Sequence, residues 1–481
     1  MLRWAHKSEQ LVREYIMNQT NMTRTTNGMA AQKTSFNANV DLFAKIGSAR
    51  GLDLSSQFRA AYNEDADLAV RQLLWVRDIR GGAGERQTFR SLMNQVVRET
   101  DIHVAARIVA KIPEVGRWDD LWSLIGLSET LDFVILEIVA QAMLDGNGLC
   151  AKWMPREGKK HSRFFMNAYE LTERTYRKWI VGLSNTVEQK MCAQQWNEID
   201  FSKLPSVASK NYQKAFKRNA PEAYQEWVDG LATGKTTINA GAIFPYDVIR
   251  GLNGVKGVAD AQWKALPDYL ADSKENLIGI VDVSPSMRQY QASKGLSCMD
   301  VAVSLGMYVA ERSKGIFKDQ FITFDSNPRW VDLSDCTTLQ ARYNKTVGAS
   351  WGGSTDLQKT FRMILESAVK HRVPVEDMPT KILLWSDMQF NQVDGGFQRD
   401  SAFEMIDRMY AAAGYKRPDI IFWNMNSVFG NLPVSFGVGG TAMVTGFSPA
   451  IMKSILAATD VPEVTPMSMM LETLNVPRYD W

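Results

Sequence analysis

Residues 277–287 read LIGIVDVSPSM, and this stretch decides how the second half of the chain is interpreted. Positions 277–281 are apolar apart from one glycine, a pattern typical of a strand that is buried on both faces. The strand leads directly into Asp282, Ser284 and Ser286, which place one carboxylate and two hydroxyls at alternate positions. Open α/β sheets bind ligands at the carboxyl ends of their strands, and hard divalent cations prefer oxygen ligands. The stretch therefore predicts a buried strand that leads into a cation-binding loop.

The pattern from residue 277 onward alternates between strand-like and helix-like segments, which indicates a mostly parallel sheet covered by helices. The predicted strands are 277–283, 320–324, 329–333, 381–385, 420–423 and 443–444, and the predicted helices are 297–313, 356–370, 401–412, 450–457 and 467–474. The second and third of these strands are close enough in sequence to pair as a hairpin. We therefore expect a C-terminal α/β domain over residues 271–481, which ends in a tail punctuated by prolines.

Two later loops fall at the same predicted edge of the sheet. Thr355 stands immediately before a predicted helix, and Asp387 follows the strand 381–385. Because parallel strands bring their carboxyl ends together, we expect both residues beside the first loop. Helix capping explains Thr355 alone and leaves the other oxygen ligands unexplained. Two carboxylates and three hydroxyls do not fill the octahedral shell of Mg²⁺, so water or an acidic group from a partner completes it.

The first half of the chain has a helical pattern. In the stretch 65–79 apolar residues recur on one helical face, and the pattern stops at the glycine-rich run 81–84. Short amphipathic helices broken by Gly or Pro follow, which favours an α-helical superhelix of the HEAT type. A Gly-Gly-x-Gly run can also cradle a phosphate, but no strand precedes this one, so we interpret it as a helix–helix turn. Residues 1–35 are polar and predict an N-terminal arm, and residues 36–270 form the predicted helical module.

The segment 152–218 is strongly basic, with fourteen Lys or Arg residues against six Asp or Glu residues. Basic side chains neutralise phosphates, and aromatic residues interleaved with them stack on unpaired bases where they are exposed. For the aromatic residues we favour a place in the core, and for the basic residues contact with nucleic acid. The candidate nucleic-acid-binding residues are Lys152, Arg156, Lys159, Lys160, Arg163, Arg174, Arg177, Lys178, Lys210, Lys214, Lys217 and Arg218.

The bulk properties are those of a soluble globular protein. A length of 481 residues predicts two or three domains, and a formal net charge of +2 indicates no class of partner by itself. Four scattered cysteines without CxxC spacing argue against a zinc site or a disulfide framework and favour a reducing compartment. No apolar run is long enough to span a membrane, and the N-terminus lacks a signal peptide, so we expect a cytoplasmic protein with no membrane partner.

The ligand pattern resembles a known site. Asp-x-Ser-x-Ser, followed by a later Thr and a later Asp, resembles the metal-ion-dependent adhesion site of von Willebrand factor A domains. This resemblance implies a Rossmann-like domain that binds Mg²⁺, or alternatively Mn²⁺ or Ca²⁺. The five metal ligands that it implies are Asp282, Ser284, Ser286, Thr355 and Asp387. Pro285 departs from the pattern, since the family usually has glycine there.

Motifs in the first half of the chain carry a second resemblance. They are WVRDIRGGAGER at 75–86, GRWDDL at 116–121, AKWMP at 151–155, EQKMC at 188–192 and PSVA at 205–208. They resemble a family of unknown function, found in plants, fungi, bacteria and phages, that has a TROVE-like helical module before the A domain. Its architecture is similar to that of the Ro autoantigen, whose ring of HEAT-like repeats binds structured and misfolded non-coding RNA. The resemblance implies a ribonucleoprotein component, in the host cytoplasm if a phage encodes it.

Together these observations predict a multidomain α and α/β protein, with an N-terminal all-α HEAT-like superhelix followed by a C-terminal Rossmann-like von Willebrand factor A domain. We expect a non-catalytic protein whose helical module binds structured RNA and whose metal binds an Asp or Glu of a protein partner. An enzyme is disfavoured because the metal loops contain no His, Lys or Glu that would act as a base. The alternative is a protein-interaction scaffold, such as a phage structural or assembly component, that binds no RNA.

Overall fold

The computed structural model of the chain describes residues 21–293, 295–324, 327–349, 356–390, 402–428, 430–457 and 463–481. The chain divides into two compact units, neither of which is continuous in sequence. The sheet unit contains the described residues of 1–52, 59–66 and 268–474, and the helical unit contains 53–58, 67–267 and 475–481. This division differs from the predicted segments 1–35, 36–270 and 271–481. Residues 36–52 and 59–66 belong to the sheet unit, and residues 475–481 belong to the helical unit.

The described strands all belong to the sheet unit. They are β1 (Met22–Arg24), β2 (Ala30–Gln32), β3 (Leu277–Asp282), β4 (Gln291–Ser293), β5 (Leu296–Ser297), β6 (Gln320–Phe324), β7 (Arg329–Asp332), β8 (Lys381–Ser386), β9 (Asp419–Asn424) and β10 (Thr441–Thr445). Six of them form one sheet in the order β10-β9-β8-β3-β6-β7, which is parallel except for its edge strand β7. The pairs β1–β2 and β4–β5 are separate and antiparallel. The predicted mostly parallel sheet is therefore confirmed, as is the hairpin of β6 and β7.

The helices occur in both units. They are α1 (Ala38–Ile46), α2 (Ser55–Glu64), α3 (Ala66–Arg77), α4 (Arg86–Glu99), α5 (Ile102–Val115), α6 (Trp118–Trp122), α7 (Glu129–Leu144), α8 (Gly148–Trp153), α9 (Ser162–Ala168), α10 (Glu173–Ser184), α11 (Val187–Cys192), α12 (Ser206–Asn211), α13 (Gln213–Asn219), α14 (Pro221–Thr233), α15 (Pro245–Ile249), α16 (Val258–Lys264), α17 (Pro285–Gln289), α18 (Cys298–Arg312), α19 (Leu339–Val347), α20 (Leu357–His371), α21 (Ala402–Ala412), α22 (Ile451–Ala457) and α23 (Pro466–Leu474). Single turns of 3-10 helix lie at Trp196–Glu198, Phe201–Lys203, Gly315–Phe317, Val375–Asp377 and Pro477–Tyr479. None of the described helices has the length and apolar character that a membrane span requires.

The part of the chain between residues 67 and 267, all of which is described, contains helices and turns and no strand. The predicted helical character of this region is confirmed, whereas stacking of the HEAT type stays a prediction. The glycine-rich run 81–84 is a turn between α3 and α4, as expected. Its backbone folds back on α3, with the Ala83 amide 3.2 Å from the Trp75 carbonyl oxygen. Gly82 is required there because an added Cβ atom would lie 2.0 Å from that oxygen.

Strands β3 and β8 lie at the centre of the six-stranded sheet, and every residue in both is buried. Gly279 in β3 leaves room for a neighbouring side chain, since an added Cβ atom would lie 2.7 Å from Cζ3 of Trp385. Gly306 lets α18 approach the same strand, because its added Cβ atom would lie 2.5 Å from Cγ2 of Val281. This dense packing holds β3 firmly against its neighbours, and Asp282 is its last residue.

The described part of the predicted polar arm is a hairpin that is held by the sheet unit. The backbone of Gln32 in β2 pairs with that of Leu432, and α1 packs against β10. Gly47, which follows α1, permits this approach because an added Cβ atom would lie 2.6 Å from the carbonyl oxygen of Thr445. Residues 21–35 make specific tertiary contacts through polar groups, and hydrophobic periodicity does not reveal contacts of that kind.

Candidate metal centre and basic surface

Asp282 is the last residue of β3, and both of its carboxylate oxygens are occupied by hydrogen bonds. Its Oδ1 accepts a bond of 2.9 Å from the Ser284 amide, and its Oδ2 accepts a bond of 2.5 Å from the Ser386 hydroxyl. The side chain is fully buried. Ser386 is the last residue of β8, the neighbouring parallel strand, so this contact joins the carboxyl ends of two central strands.

Ser284 and Ser286 lie at the start of the short helix α17. The Ser284 hydroxyl does not cap the helix and lies 3.0 Å from the hydroxyl of Ser286. Pro285 is the first residue of this helix, a position where the missing amide hydrogen has no cost and the fixed φ angle suits the backbone. Proline at this position therefore fits a helical turn that starts one residue after Ser284.

Asp387 follows β8 and is also buried. Its Oδ1 accepts a hydrogen bond of 3.2 Å from the Gln389 amide, and the Ser286 hydroxyl interacts with the same carboxylate. Its Oδ2 is buried and has no hydrogen-bond partner among the residues that the structure describes. A carboxylate oxygen withdrawn from water without a partner carries a substantial desolvation cost, so this atom is the chemically incomplete point of the site.

The environment of the two carboxylates disfavours their ionised forms. Burial, together with the negative charge of Asp387, raises the pKa of Asp282. Burial likewise raises the pKa of Asp387. Within the described ranges, neither carboxylate forms an ion pair with Lys, Arg or His. A bound cation would supply the positive charge that the site lacks.

The structure brings four of the five predicted ligands, Asp282, Ser284, Ser286 and Asp387, to one edge of the sheet. The fifth, Thr355, lies outside the described residues. Sequence reasoning did not assign a role to Ser386, although its place directly after a buried strand and before an aspartate was the available signal. No group of three or more His, Cys, Asp or Glu side chains arranged to hold a metal occurs among the described residues. The four residues that meet at the sheet edge offer carboxylate and hydroxyl oxygens, which are ligands that suit a hard cation.

The loop that carries Asp387 is held from outside by the turn between β1 and β2. The Thr26 amide donates a 2.7 Å hydrogen bond to Oε1 of Gln389, and Nδ2 of Asn27 donates a 2.6 Å bond to the Gln389 carbonyl oxygen. The Thr25 hydroxyl donates a 2.5 Å bond to the Phe390 carbonyl oxygen. These contacts hold the backbone next to Asp387, including Met388 at a φ of 63°, a left-handed conformation that is uncommon for methionine.

Most of the twelve basic residues predicted to bind nucleic acid are exposed in the helical unit. Lys152 and Lys210 are half-buried, and Nζ of Lys210 lies 2.6 Å from Oδ1 of Asp247. The exposed ones are Arg156, Lys159, Lys160, Arg163, Arg174, Arg177, Lys178, Lys214, Lys217 and Arg218. Phe165, Tyr176 and Phe216 are buried, as the core interpretation of the aromatic residues predicts. Phe201 is buried as well, and the remaining aromatic residues of the segment are half-buried.

Comparison with known proteins yields matches to both halves of the chain. Residues 276–474 match the model of a family described as Domain of unknown function (DUF7788), and residues 132–275 match that of Domain of unknown function (DUF2828). The two matches meet between residues 275 and 276. Neither description names a von Willebrand factor A or TROVE domain, so those resemblances stay predictions.

The chain is also similar to whole proteins. It is 29% identical over 513 residues to Uncharacterized protein L728 of Acanthamoeba polyphaga mimivirus, in an alignment that covers 95% of this chain and 87% of that protein. Among solved structures it is similar to the RO (RSR) protein of Deinococcus radiodurans. That match has 14% identity and a TM-score of 0.45, and it covers 91% of this chain and 99% of the other.

Proposed function

We propose that this protein is a non-catalytic RNA-binding protein whose sheet unit holds a divalent cation. The metal-dependent part rests on one observation, the buried pair Asp282 and Asp387, in which one oxygen of Asp387 has no hydrogen-bond partner among the described residues. In this proposal the cation is Mg²⁺, with Mn²⁺ or Ca²⁺ as alternatives. The two carboxylates would supply its anionic ligands, and the hydroxyls of Ser284, Ser286 and Thr355 its neutral ones.

The bound cation would act as a Lewis acid that accepts a carboxylate oxygen from a protein partner. This role is supported by the small number of protein ligands, since five oxygens leave a position open in an octahedral shell. Residues 283–287 and 386–390 contain no His, Lys or Glu that would serve as a base, which favours binding over hydrolysis. The protein partner is therefore expected to present an exposed Asp or Glu.

The RNA-binding part is supported by the exposed basic residues of the helical unit. Within Arg156–Arg163 four of them occur in eight positions, Lys159 and Lys160 being adjacent, and all four are exposed. Long cationic side chains in water attract phosphates without reading the sequence. We infer a preference for structured or misfolded non-coding RNA, in which backbone phosphates are presented at high density.

The cation site is tested by titration of the full chain with Mg²⁺ in a calorimeter. We expect Asp387→Asn to lose Mg²⁺ binding, because it removes one of only two anionic ligands. Glu366→Gln, an exposed carboxylate on α20 of the same unit, is the matched control and should bind as the parent does. Equal binding by Asp387→Asn and the parent would refute the site.

RNA binding is tested by fluorescence anisotropy with a labelled transfer-RNA transcript over a series of salt concentrations. We expect a log–log slope of several units in the parent, which becomes smaller when Lys159, Lys160 and Arg163 are changed together to Glu. The control changes the exposed residues Lys318, Lys370 and Lys416 of the sheet unit to Glu. Absence of binding by the parent at low salt would refute the RNA proposal and favour the scaffold alternative. Asp387→Asn should leave RNA affinity nearly intact.

A further inference from the structure

Four arginines of the helical unit converge on two adjacent aspartates. Arg77 ends α3, Arg86 begins α4, Arg90 lies one turn further along α4, and Arg117 precedes α6. The aspartates, Asp119 and Asp120, occupy the first turn of α6. The tight turn through Gly82 places the start of α4 beside the end of α3, where the Glu85 amide donates a 2.7 Å hydrogen bond to the Val76 carbonyl oxygen. We call these four residues the arginine cluster.

Three members of the cluster are paired with the aspartates. Nε of Arg77 lies 2.7 Å from Oδ2 of Asp120, and Nη2 of Arg90 lies 2.7 Å from its Oδ1. Nε of Arg117 lies 2.8 Å from Oδ1 of Asp119. Four guanidinium groups therefore share two carboxylates, which leaves an excess of two positive charges in the cluster.

Arg86 differs from the other three members of the cluster because no carboxylate pairs with it in the described part of the chain. Among the described residues, none forms a hydrogen bond or an ion pair with its guanidinium group. Burial and the positive charges of Arg117 and Arg90 lower its pKa, against the opposing effect of the two aspartates. It is also the first residue of α4, where the helix dipole disfavours a cation. At that helix end the backbone amides of Gln87 and Thr88 donate hydrogen bonds of 2.9 Å and 3.4 Å to Oε1 of Glu85, so they are not available to a ligand.

Lys152 adds a further cationic side chain beside the cluster. Cζ of Arg117 lies 3.9 Å from the centroid of the Trp153 ring, and Nζ of Lys152 lies 5.9 Å from the same centroid. Stacking on the indole restricts the plane of the Arg117 guanidinium group, so its remaining donors point in a limited range of directions. The accessible cations are thus Arg86, Arg90, Arg117 and Lys152, since Arg77 is buried.

We propose that Arg86, Arg90 and Arg117, with Lys152 beside them, form a binding site for a phosphate group. Guanidinium groups bind phosphate oxygens in pairs, and a doubly charged anion would neutralise the excess of two positive charges. The site extends the proposed function, because none of its arginines is among the twelve basic residues considered above. The phosphate comes either from the backbone of RNA or from inorganic phosphate and small phosphorylated molecules.

The first test uses inorganic phosphate as the probe and chloride at equal ionic strength as the reference. The melting temperature of the full chain and its affinity for phosphate, determined by calorimetry, are measured. We expect phosphate to raise the melting temperature of the parent. Arg86→Gln should bind phosphate about tenfold more weakly or worse, because one charge-assisted contact is lost. Arg86→Lys should retain part of the affinity. Arg98→Gln, at the other end of α4, is the matched control and should bind as the parent does.

The stability of Arg86→Gln in chloride, without phosphate, shows whether Arg86 serves a ligand or stabilises the fold. If Arg86 serves a ligand, Arg86→Gln should be at least as stable as the parent without phosphate, since the change relieves repulsion from Arg90 and Arg117. A parent that does not respond to phosphate, or a marked loss of stability in Arg86→Gln without phosphate, would overturn the proposal.

The source of the phosphate is distinguished by adding RNA. If poly(U) competes with inorganic phosphate and Arg86→Gln binds the RNA more weakly, the site holds the RNA backbone. If RNA affinity is unchanged while phosphate binding is lost, the site holds a free or small-molecule phosphate. Because the phosphate titration uses no RNA, failure of the RNA-binding proposal leaves this result intact.

Discussion

The Ser386 hydroxyl donates a 2.5 Å hydrogen bond to Oδ2 of Asp282 and so connects the carboxyl ends of the adjacent parallel strands β8 and β3. The other oxygen of the same carboxylate is bonded to the Ser284 amide. Asp282 therefore has a defined orientation without any cation, whereas one oxygen of Asp387 has no partner in the part of the chain that the structure describes. Asp282 is thus preorganised for a ligand, and Asp387 offers an oxygen that a ligand can occupy.

Ser386→Ala should lower the free energy of unfolding by about 2 kcal/mol, because a buried hydrogen bond to a carboxylate is lost. Its Mg²⁺ affinity should also fall, since Asp282 loses one of the two bonds that orient it. Denaturant titration and calorimetry measure the two effects. Ser304→Ala removes a buried hydroxyl that bonds to the carbonyl oxygen of Val301 on its own helix, and it should cost about 1 kcal/mol or less without changing Mg²⁺ binding.

Thr25→Val should loosen the loop next to Asp387, because it removes the hydroxyl that bonds the Phe390 carbonyl oxygen. We expect faster hydrogen exchange at the amides of residues 388–390 and a loss of about 1 kcal/mol in stability. Thr26→Val is the matched control, since its side chain is exposed and its backbone bond to Gln389 survives. Unchanged exchange in Thr25→Val would show that the Thr25 hydroxyl does not hold this loop, whose bonds to Thr26 and Asn27 remain.

Arg478→Met should destabilise the helical unit by about 2–4 kcal/mol, because it leaves the buried Asp78 without its cation. Nη2 of Arg478 lies 2.9 Å from Oδ1 of Asp78, and the Tyr479 hydroxyl lies 3.2 Å from Oδ2. We expect a destabilisation smaller than the largest values for fully buried ion pairs, because the Arg478 side chain is 31% exposed. Thermal unfolding measures the effect. Asp480→Asn, which removes an exposed carboxylate 2.8 Å from Nη1 of Arg71, should change stability by about 1 kcal/mol or less.

Acid should weaken the helical unit in part through Asp119. Burial acts to raise its pKa, but the hydrogen bond and charge of Arg117 and the charge of Arg90 outweigh burial and hold the pKa below its usual range. A carboxyl whose pKa is lower in the folded state stabilises the protein above its unfolded pKa of about 4 and loses that effect as the pH falls through the folded value.

The corresponding measurement is the free energy of unfolding between about pH 6 and pH 3. Asp119→Asn should be less stable than the parent at the upper end, and the difference should shrink as the pH falls. Asp145→Asn, an exposed aspartate of the same unit, should follow the parent curve throughout. A difference between Asp119→Asn and the parent that is independent of pH would contradict this account.

Local sequence patterns predicted the helical character of the first half of the chain and the mostly parallel sheet of the second half, but not the discontinuous division into two units. The continuous apolar runs that became β3 and β8 identify central strands, because only a strand buried on both faces can be apolar at nearly every position. Helical periodicity identified the α-helical character of the first half. The order of strand and helix then placed Asp282 and Asp387 at the same sheet edge, because parallel strands end together.

Only the tertiary structure decided which polar groups meet. The bond between Ser386 and Asp282, the hold of Thr25 on the loop after Asp387, and the pairing of Arg478 with Asp78 join residues about a hundred or several hundred positions apart. The arginine cluster likewise assembles from the ends of separate helices. Apolar residues reveal their burial through a repeat along the chain, whereas one hydrogen bond or ion pair needs only a single atom on each side. Such contacts leave no periodic trace in the sequence and exist only once the backbone has brought both partners together.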